Sequence, residues 1–222
     1  MTTLPEIPGG WSTREIGIAG RSFRVTLPTS PDAFLDDPEV LDESRRNDYM
    51  PYWPYLWPAS LPMSEAVVRA GWRTGTEILE VGAGIGFVGL VALSCGHRVT
   101  FSDYRGEAVD LALYNARQNN LSGASGEVID WNNPPNGERF AVILGCDVLY
   151  ERRNHEPILG LLSTMLDSDG VAWFGDAGRD HASAFVAMAR DAGYHVELRD
   201  ENGEPLEKPR VGRFQLITLT RV

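Results

Sequence analysis

Along residues 76–192, short apolar runs alternate with stretches in which apolar side chains recur at helical spacing. Runs of this length predict buried strands, and the spacing between them predicts helices that pack by one face. The predicted strands cover 78–81, 98–102, 126–129, 140–145 and 171–175. Strands and helices that alternate in this way predict a parallel sheet covered on both faces.

The pattern changes after residue 193. Tyr194, Val196 and Leu198 alternate with polar residues, and Phe214 and Leu216 mark another strand. The polar loop over 200–212 is too short for a crossover helix and long enough for a hairpin. We therefore predict a doubly wound, Rossmann-like α/β sheet of seven mostly parallel strands with an antiparallel C-terminal strand pair.

The first part of the chain carries a hairpin pattern and then an aromatic segment. Residues 15–27 predict a hairpin that turns at Ala19-Gly20. Five of the thirteen Trp and Tyr residues lie within 49–57, where prolines exclude a helix. Irregular segments of this kind fill cores poorly, so we expect a pocket wall, with a hydrophobic plug against the sheet as the alternative. We predict one domain over 1–222, with an N-terminal extension (1–70) and a cofactor-binding core (75–222).

Composition excludes several classes of protein. The net charge of -11 argues against a nucleic-acid-binding surface, and no apolar run is long enough to cross a membrane. Cys95 and Cys146 form no metal or disulfide pattern, and the four histidines have no metal spacing. The start has no signal-peptide pattern. We expect a cytoplasmic protein with no metal, nucleic acid or membrane partner, and the sequence predicts no oligomeric state.

A glycine turn within 76–89 carries the main functional signal. A short strand is followed by Gly82, Gly84 and Gly86 and then by an apolar helix. Glycines let a ligand approach the backbone, and the free N–H groups of the helix point toward it. The spacing fits the dinucleotide fingerprint, with Asp103 nineteen residues after Gly84, and it fits equally the first motif of methyltransferases that use S-adenosylmethionine.

Acids follow the predicted strands and help to choose between the two cofactors. Glu80, Asp103, Asp130 and Asp147 stand at four strand ends, where a doubly wound sheet binds its ligands. Each acid has an alternative role as a helix cap. An acidic rim repels pyrophosphate but suits a cationic sulfonium. Asp103 would accept from the ribose hydroxyls, Asp130 from the adenine amine, and Trp131 would pack on the ring.

Lysine content also counts against a dinucleotide enzyme. Lys208 is the only lysine, so no tyrosine has a lysine four places on, the pair that many short dehydrogenases use.

Several motifs together resemble one family. Glu80-x-Gly82-x-Gly84-x-Gly86, Asp103, Asp130-Trp131 and Asp147-Val-Leu-Tyr150 resemble the motifs of the protein lysine methyltransferase-like group of seven-stranded methyltransferases. The segment 52–58 resembles the aromatic motif of that group. Asp176-Ala-Gly-Arg179 is similar to Asp-Pro-Gly-Arg in the branch of the electron-transfer flavoprotein β-subunit lysine methyltransferase, with Ala177 in place of proline. The resemblance covers residues 50–220.

The resemblance implies roles for the motif residues. Asp147 would orient and help deprotonate a lysine amine, and Tyr150 would contact the same nitrogen. The cofactor site would comprise Trp57, Glu80, Gly82, Gly84, Gly86, Asp103, Tyr104, Asp130, Trp131 and Cys146. Trp53 and Arg179 would contact the substrate. The partner would be a lysine-containing protein or a small amine.

Three other functions stay open at this point. A small-molecule N-methyltransferase would use the same scaffold, because function depends on the site rather than on the fold. A catalytically silent module that binds the cofactor is a second alternative, and an NAD-dependent oxidoreductase is a third.

Overall fold

A computed structural model describes residues 4–47 and 49–221. Its strands are β1 (Trp11–Ile18), β2 (Arg21–Pro28), β3 (Glu77–Val81), β4 (Arg98–Asp103), β5 (Ala124–Val128), β6 (Phe140–Cys146), β7 (Leu166–Asp176), β8 (Tyr194–Arg199) and β9 (Gln215–Arg221). Its α-helices are α1 (Pro38–Asn47), α2 (Ser60–Arg69), α3 (Phe87–Ser94), α4 (Gly106–Gln118), α5 (His155–Met165) and α6 (Ala182–Asp191). A 3-10 helix covers Pro31–Asp36 and another covers Arg152–Asn154. The domain prediction includes residues 1–3, 48 and 222, which lie outside the described residues.

The main sheet has the predicted architecture. Its seven strands follow the order β5-β4-β3-β6-β7-β9-β8. β9 pairs antiparallel with β7 on one side and with β8 on the other, while the pairs among the other five strands are parallel. The chain winds outward in opposite directions from the neighbouring strands β3 and β6. A cleft therefore opens at their carboxyl ends, where this class of sheet binds ligands.

Two of the predicted parallel strands, β5 and β7, differ from the prediction by more than one residue at an end. β5 begins at Ala124 and ends at Val128, two residues earlier and one residue earlier than expected. β7 begins at Leu166, because a short pairing of Leu166 with Phe140 precedes an irregular register. The polar residues between Leu166 and Val171 concealed this extension, since they interrupt the apolar run.

The predicted hairpin is confirmed and packs against α4 beside the main sheet. β1 and β2 pair antiparallel around Ala19 and Gly20, which both have positive φ. Asn115 of α4 is fully buried and accepts from Thr26 N–H at 2.8 Å. Its amide donates to the carbonyls of Thr26 and Ile85 at 3.0 Å each. Because Ile85 belongs to the glycine turn, this one side chain ties the hairpin to that turn.

Apolar side chains of the strands fill both faces of the sheet. Ile78 of β3 packs with α3, α4 and the hairpin, and its neighbour Leu79 packs on the opposite face with α5 and α6. Successive strand residues point to opposite faces, so an apolar run buries both. Among the described residues, no helix is long and apolar enough to cross a membrane.

Candidate active site

A cavity of about 580 Å³ lies at the carboxyl ends of β3, β4 and β6. It gathers residues from distant parts of the sequence. The predicted site residues that line it are Trp53, Trp57, Glu80, Gly82, Gly84, Asp103, Tyr104, Asp130, Trp131, Cys146, Asp147 and Tyr150. Gly86 and Arg179 are not part of the lining. The cavity is large enough for a nucleoside cofactor and the end of a second substrate.

The glycine turn lies under the aromatic segment. Gly82 and Gly84 have φ values of +61° and +53°, which favour glycine. A Cβ at Gly84 would lie 3.0 Å from the Trp53 carbonyl oxygen, and one at Gly82 would lie 2.7 Å from Val148. Gly86 instead packs against Ala112 of α4. The first two glycines therefore keep the cavity floor open, and the third allows close helix packing.

Glu80 supports the turn from beneath. Its side chain is buried, and Oε2 accepts from the Gly89 N–H at 3.1 Å, in the first turn of α3. Burial raises the pKa of Glu80 to about 8, and the nearby Asp103 adds to this rise. Any Cβ at Gly89 would collide with the Glu80 carboxyl. The close approach therefore requires a glycine at position 89, the last glycine of the dinucleotide-type spacing.

Asp103 ends β4 and faces the same turn. Its Oδ2 accepts from Gly84 N–H at 3.0 Å, and its Oδ1 accepts from Arg105 N–H at 3.1 Å. Burial raises its pKa, while these hydrogen bonds oppose the rise. α4 begins at Gly106, and no side-chain bond caps it. Asp103 therefore acts on the turn and not as the helix cap that was its alternative role.

Three further predicted cofactor residues, Tyr104, Asp130 and Trp131, lie on the rim. Asp130 is exposed, and its Oδ1 accepts from the backbone and side-chain N–H groups of Asn132, both at 2.9 Å. The Trp131 ring lies against Gly82, and its buried Nε1 donor has no partner among the described residues. Tyr104 has an exposed fraction of 59%. Trp131 thus offers both a flat face and a free donor to a ligand.

The aromatic segment forms one wall, as predicted. Trp53 is buried against Phe34 of the first 3-10 helix, with ring centroids 5.2 Å apart. Tyr52 contacts both Trp57 and Tyr150 edge to face, at 5.9 and 4.9 Å. Trp57 Nε1 donates to the Tyr52 carbonyl at 3.0 Å, which fixes the loop. Trp53 therefore lies nearer the glycine turn, and Tyr52, Trp57 and Tyr150 enclose the other end.

Asp147 follows β6 and holds three segments together. Its Oδ2 accepts from Ala59 N–H at 3.0 Å, immediately before α2, and its Oδ1 accepts from Ala177 N–H at 3.3 Å. Arg179 Nε lies 3.6 Å from the same Oδ1. The backbone φ of Asp147 is +53°, which is rare for a residue with a side chain and marks strain typical of functional sites. Burial raises its pKa, and the hydrogen bonds with Ala59 and Ala177 and the charge of Arg179 oppose that rise.

Tyr150 and Arg179 complete this end. Burial raises the pKa of Tyr150 to about 12, so its hydroxyl stays neutral. The Arg179 guanidinium lies 5.5 Å from the centre of the Trp57 ring, a cation–π distance. Cys146 Sγ lies 3.6 Å from Ser60 Oγ, and burial raises its thiol pKa well above the ordinary value. Cys146 is thus a neutral wall residue.

Sequence patterns did not indicate several lining residues. Tyr49 and Tyr52 were noted only as aromatic residues, although the density of rings in 49–57 was the signal that located them. Glu43 and Arg105 also line the cavity, and they join each other across sixty-two positions. No local pattern predicts such a pair. Among the described residues, no cluster of His, Cys, Asp or Glu is arranged to hold a metal ion.

These residues fit S-adenosylmethionine. The glycine turn presents a floor without side chains, Asp103 has lone pairs left for a ribose diol, and Trp131 has a free donor. Acids on the rim suit the positive charge of the cofactor. When bound, the cofactor supplies an electrophilic methyl group on a sulfonium.

Comparison with known proteins decides between the two cofactor interpretations. A family model described as lysine methyltransferase matches residues 55–190, which is more than half of the chain. The chain belongs to the lysine methyltransferase family. It is a methyltransferase of the class I fold that uses S-adenosylmethionine. The predictions of fold, cofactor and methyl transfer are therefore confirmed, and the dinucleotide alternative is not.

Several similar proteins are named for different acceptor residues. A histone-arginine methyltransferase from Rattus norvegicus, METTL23, is 27% identical over 69% of this chain and 71% of its own length. The histidine protein methyltransferase 1 homolog of Dictyostelium discoideum is 32% identical over 45% of this chain and 34% of its own length. The protein N-lysine methyltransferase METTL21A of Danio rerio is 28% identical over 56% of each chain. The matches thus span less than two thirds of the last two proteins.

Solved structures support the fold. A TehB-like methyltransferase from Corynebacterium glutamicum superposes with a TM-score of 0.62 over 88% of this chain and 100% of its own, at 18% identity. A methyltransferase from Aquifex aeolicus gives a TM-score of 0.58 over 75% of this chain and 94% of its own, at 19% identity. At such identities the likeness concerns the fold alone.

Proposed function

We propose that this protein transfers a methyl group to the side-chain amine of a lysine in a protein substrate, in the cytoplasm. One observation carries the proposal: Asp147 and Tyr150 share a cavity with the glycine turn, and the Tyr150 ring contacts Tyr52, which in turn contacts Trp57. An amine that enters between these rings meets a carboxylate and a neutral hydroxyl. It would then face the cofactor half of the same cavity.

The aromatic end of the cavity suits a cationic side chain. Lysine arrives as an ammonium, and aromatic faces attract such a cation while they exclude water. The contact of Arg179 with Trp57 shows that a cation is already accepted at this ring. We propose that Trp53 contributes to the same wall through its backbone beside Gly84.

Asp147 would prepare the amine for attack. The ammonium must lose a proton before its nitrogen can act as a nucleophile. Oδ1 has the longer contacts, at 3.3 Å to Ala177 N–H and 3.6 Å to Arg179, so it can accept a further hydrogen bond. Burial raises the pKa of Asp147, which makes it a better proton acceptor than an exposed carboxylate. Tyr150 would donate no proton at neutral pH and would orient the nitrogen through its hydroxyl.

Relatives support a protein acceptor, and they differ in the residue that is modified. The names of these relatives specify arginine, histidine or lysine as the target. The family description, together with a buried carboxylate and a neutral tyrosine in one cavity, favours lysine here. The two free cysteines agree with a reducing compartment.

The proposal is tested by incubating the purified protein with cofactor that carries a deuterated methyl group and with an extract of its own host. Peptide mass spectrometry should find the heavy methyl group on lysine, and the label should disappear with the Asp147→Asn variant. Self-labelling is easily recognised, because Lys208 is the only lysine of the chain. Removing it by Lys208→Arg provides the matched control.

Each other outcome names another function. Label only on arginine or histidine would contradict the lysine assignment and retain the protein substrate. A label found only among small amines would support the small-molecule alternative. No label despite tight cofactor binding would indicate a catalytically silent module.

A further inference from the structure

Helix α1, which precedes the aromatic segment 49–57, contacts the cofactor end of the cavity through Arg105. Arg105 follows Asp103 and Tyr104 at the end of β4, and its Nη1 donates to Glu43 Oε2 of α1 at 2.8 Å. The Arg105 guanidinium also lies 5.1 Å from the centre of the Tyr49 ring. All three of Glu43, Tyr49 and Arg105 line the cavity.

We propose that Glu43 and Tyr49, held by Arg105, form a latch that closes α1 over the Asp103 side of the cavity and slows release of the cofactor. The latch gives the N-terminal extension a role in the cofactor site. It rests on the assignment of S-adenosylmethionine to this cavity. No sequence motif indicated Glu43, because α1 has the composition of a solvated helix.

The backbone connects the latch to the predicted ribose site. The N–H of Arg105 donates to Asp103 Oδ1 at 3.1 Å, so one residue binds Asp103 with its backbone and α1 with its side chain. Burial has the largest effect on the pKa of Tyr49, and the charges of Arg105 and Asp103 both act on that pKa as well. A ligand held by Asp103 therefore lies next to the contacts that keep α1 in place.

The pair of Arg105 and Glu43 is more enclosed than other ion pairs of this region. Their side chains have exposed fractions of 26% and 28%. The second partner of Arg105, Glu107 in α4, lies 3.0 Å away with an exposed fraction of 51%. Asp42, one residue before Glu43, pairs instead with Arg46 on the exposed side of α1. Enclosed pairs are less screened by solvent, so Glu43 should matter more than Glu107 or Asp42.

The three acids also differ in whether they line the cavity. Glu43 lines the cavity, and neither Glu107 nor Asp42 does. Glu107→Gln removes the other partner of Arg105, and Asp42→Asn removes an acid from the same helix. These two substitutions are matched controls for Glu43→Gln, because each removes one negative charge without opening the cavity.

The test measures release of S-adenosylhomocysteine by stopped-flow tryptophan fluorescence, with affinity measured by calorimetry. Glu43→Gln should raise the dissociation rate by about threefold to fivefold and leave the association rate nearly unchanged. Tyr49→Ala should raise the rate by a similar factor, and Tyr49→Phe should keep the wild-type value because the ring survives. Glu107→Gln and Asp42→Asn should stay within about 1.5-fold of the wild type.

Charge reversal supplies a second measurement that a general loss of stability would not reproduce. Arg105→Glu places a negative charge beside Glu43, and the repulsion should raise the dissociation rate by about tenfold. Combining it with Glu43→Arg should recover most of that loss. If Glu43→Gln releases the ligand at the wild-type rate, or if Asp42→Asn has the same effect as Glu43→Gln, the latch is wrong. Failure of the wild type to bind the ligand would instead contradict the cofactor assignment itself.

Discussion

The glycine turn after β3 and the Asp147–Tyr150 segment after β6 lie at the same edge of the sheet, but the chain builds them differently. The proposed cofactor half is made of backbone from one continuous stretch, supported by Glu80 and Asp103. The proposed acceptor half joins side chains from three separate segments, and Asp147 contacts two of them, at Ala59 and Ala177.

This difference suggests how freely the residues in each half of the cavity can be substituted. A backbone floor with positive φ leaves little freedom of residue type, so it suits a cofactor that does not change. Side chains carried on an irregular aromatic loop can vary without disturbing the sheet. The relatives, whose names specify three different acceptor residues, agree with such a division.

The largest expected effect is in the acceptor half. Asp147→Asn should lower turnover at saturating cofactor by about 100-fold to 1,000-fold, because it removes the carboxylate that accepts a proton. The dissociation constant for S-adenosylhomocysteine should change by less than about threefold. Initial rates and calorimetry provide the two values, and thermal unfolding checks the contact with Ala59.

Asp130→Asn is the control for that variant. Asp130 is an exposed acid that accepts hydrogen bonds from Asn132, so its loss should leave turnover at saturating cofactor unchanged. Turnover near the wild-type value for Asp147→Asn would remove Asp147 from the mechanism. If Asp147→Asn weakens cofactor binding but leaves turnover at saturating cofactor unchanged, Asp147 belongs to the cofactor site and not to the acceptor site.

For Asp103 we expect the opposite pattern, in which cofactor binding weakens and turnover changes little. Asp103→Ala should weaken cofactor binding by about 1.5–3 kcal/mol, the range for hydrogen bonds to a charged group, with turnover at saturation largely retained. The loss of the Gly84 contact should also lower stability by about 1 kcal/mol. Calorimetry beside thermal unfolding separates the two effects. Unchanged affinity with lower stability would show that Asp103 only supports the turn.

Glu80 gives the cofactor half a dependence on pH. Its folded pKa of about 8 lies above the ordinary 4.5, so protonation favours the folded state. The stabilisation is complete below pH 4.5 and is lost as pH rises through about 8. Between pH 6 and 9 the wild type should lose roughly 2.5–3 kcal/mol of unfolding free energy from this group, and Glu80→Gln should not. Denaturant unfolding measures this loss.

The matched control for Glu80 lies on the same strand. Glu77→Gln removes a half-exposed acid that pairs with Arg98 at the start of β3. It should leave the pH dependence of stability unchanged. Equal curves for the wild type and Glu80→Gln would mean that Glu80 is ionised throughout this range.

Tyr150 should show the smallest effect. Tyr150→Phe removes the hydroxyl and retains the ring contact with Tyr52, so turnover should fall by about threefold to tenfold. Because the pKa of Tyr150 is about 12, the ratio of the two rates should stay constant from pH 6 to 10. Rates across that range provide the measurement, and identical rates for both proteins would show that the hydroxyl does not contact the acceptor.

Local pattern was enough to predict the fold and the position of the glycine turn at the edge of the sheet. The run from Ile78 to Val81, the glycines at 82 and 84, and Asp103 at the next strand end depend on neighbours close in sequence or on the general geometry of parallel strands. The same logic placed Asp147 at a strand end beside the cavity.

Contacts between distant segments could not be predicted in this way. The bond from Ala59 N–H to Asp147 joins residues 88 positions apart, and the pair of Arg105 and Glu43 joins residues 62 positions apart. Hydrophobic periodicity specifies which face of an element is buried, but not which polar side chains meet across the cleft. Arg105 in particular has the sequence context of an ordinary residue before a helix.

A crystal structure with S-adenosylhomocysteine tests the division of the cavity most directly. We predict density along the glycine turn, with the ribose hydroxyls within hydrogen-bonding distance of Asp103 and the space beside Asp147, Tyr150 and Trp57 left free for an acceptor amine. Density for the nucleoside between Tyr52, Trp57 and Tyr150, away from Asp103, would contradict the account.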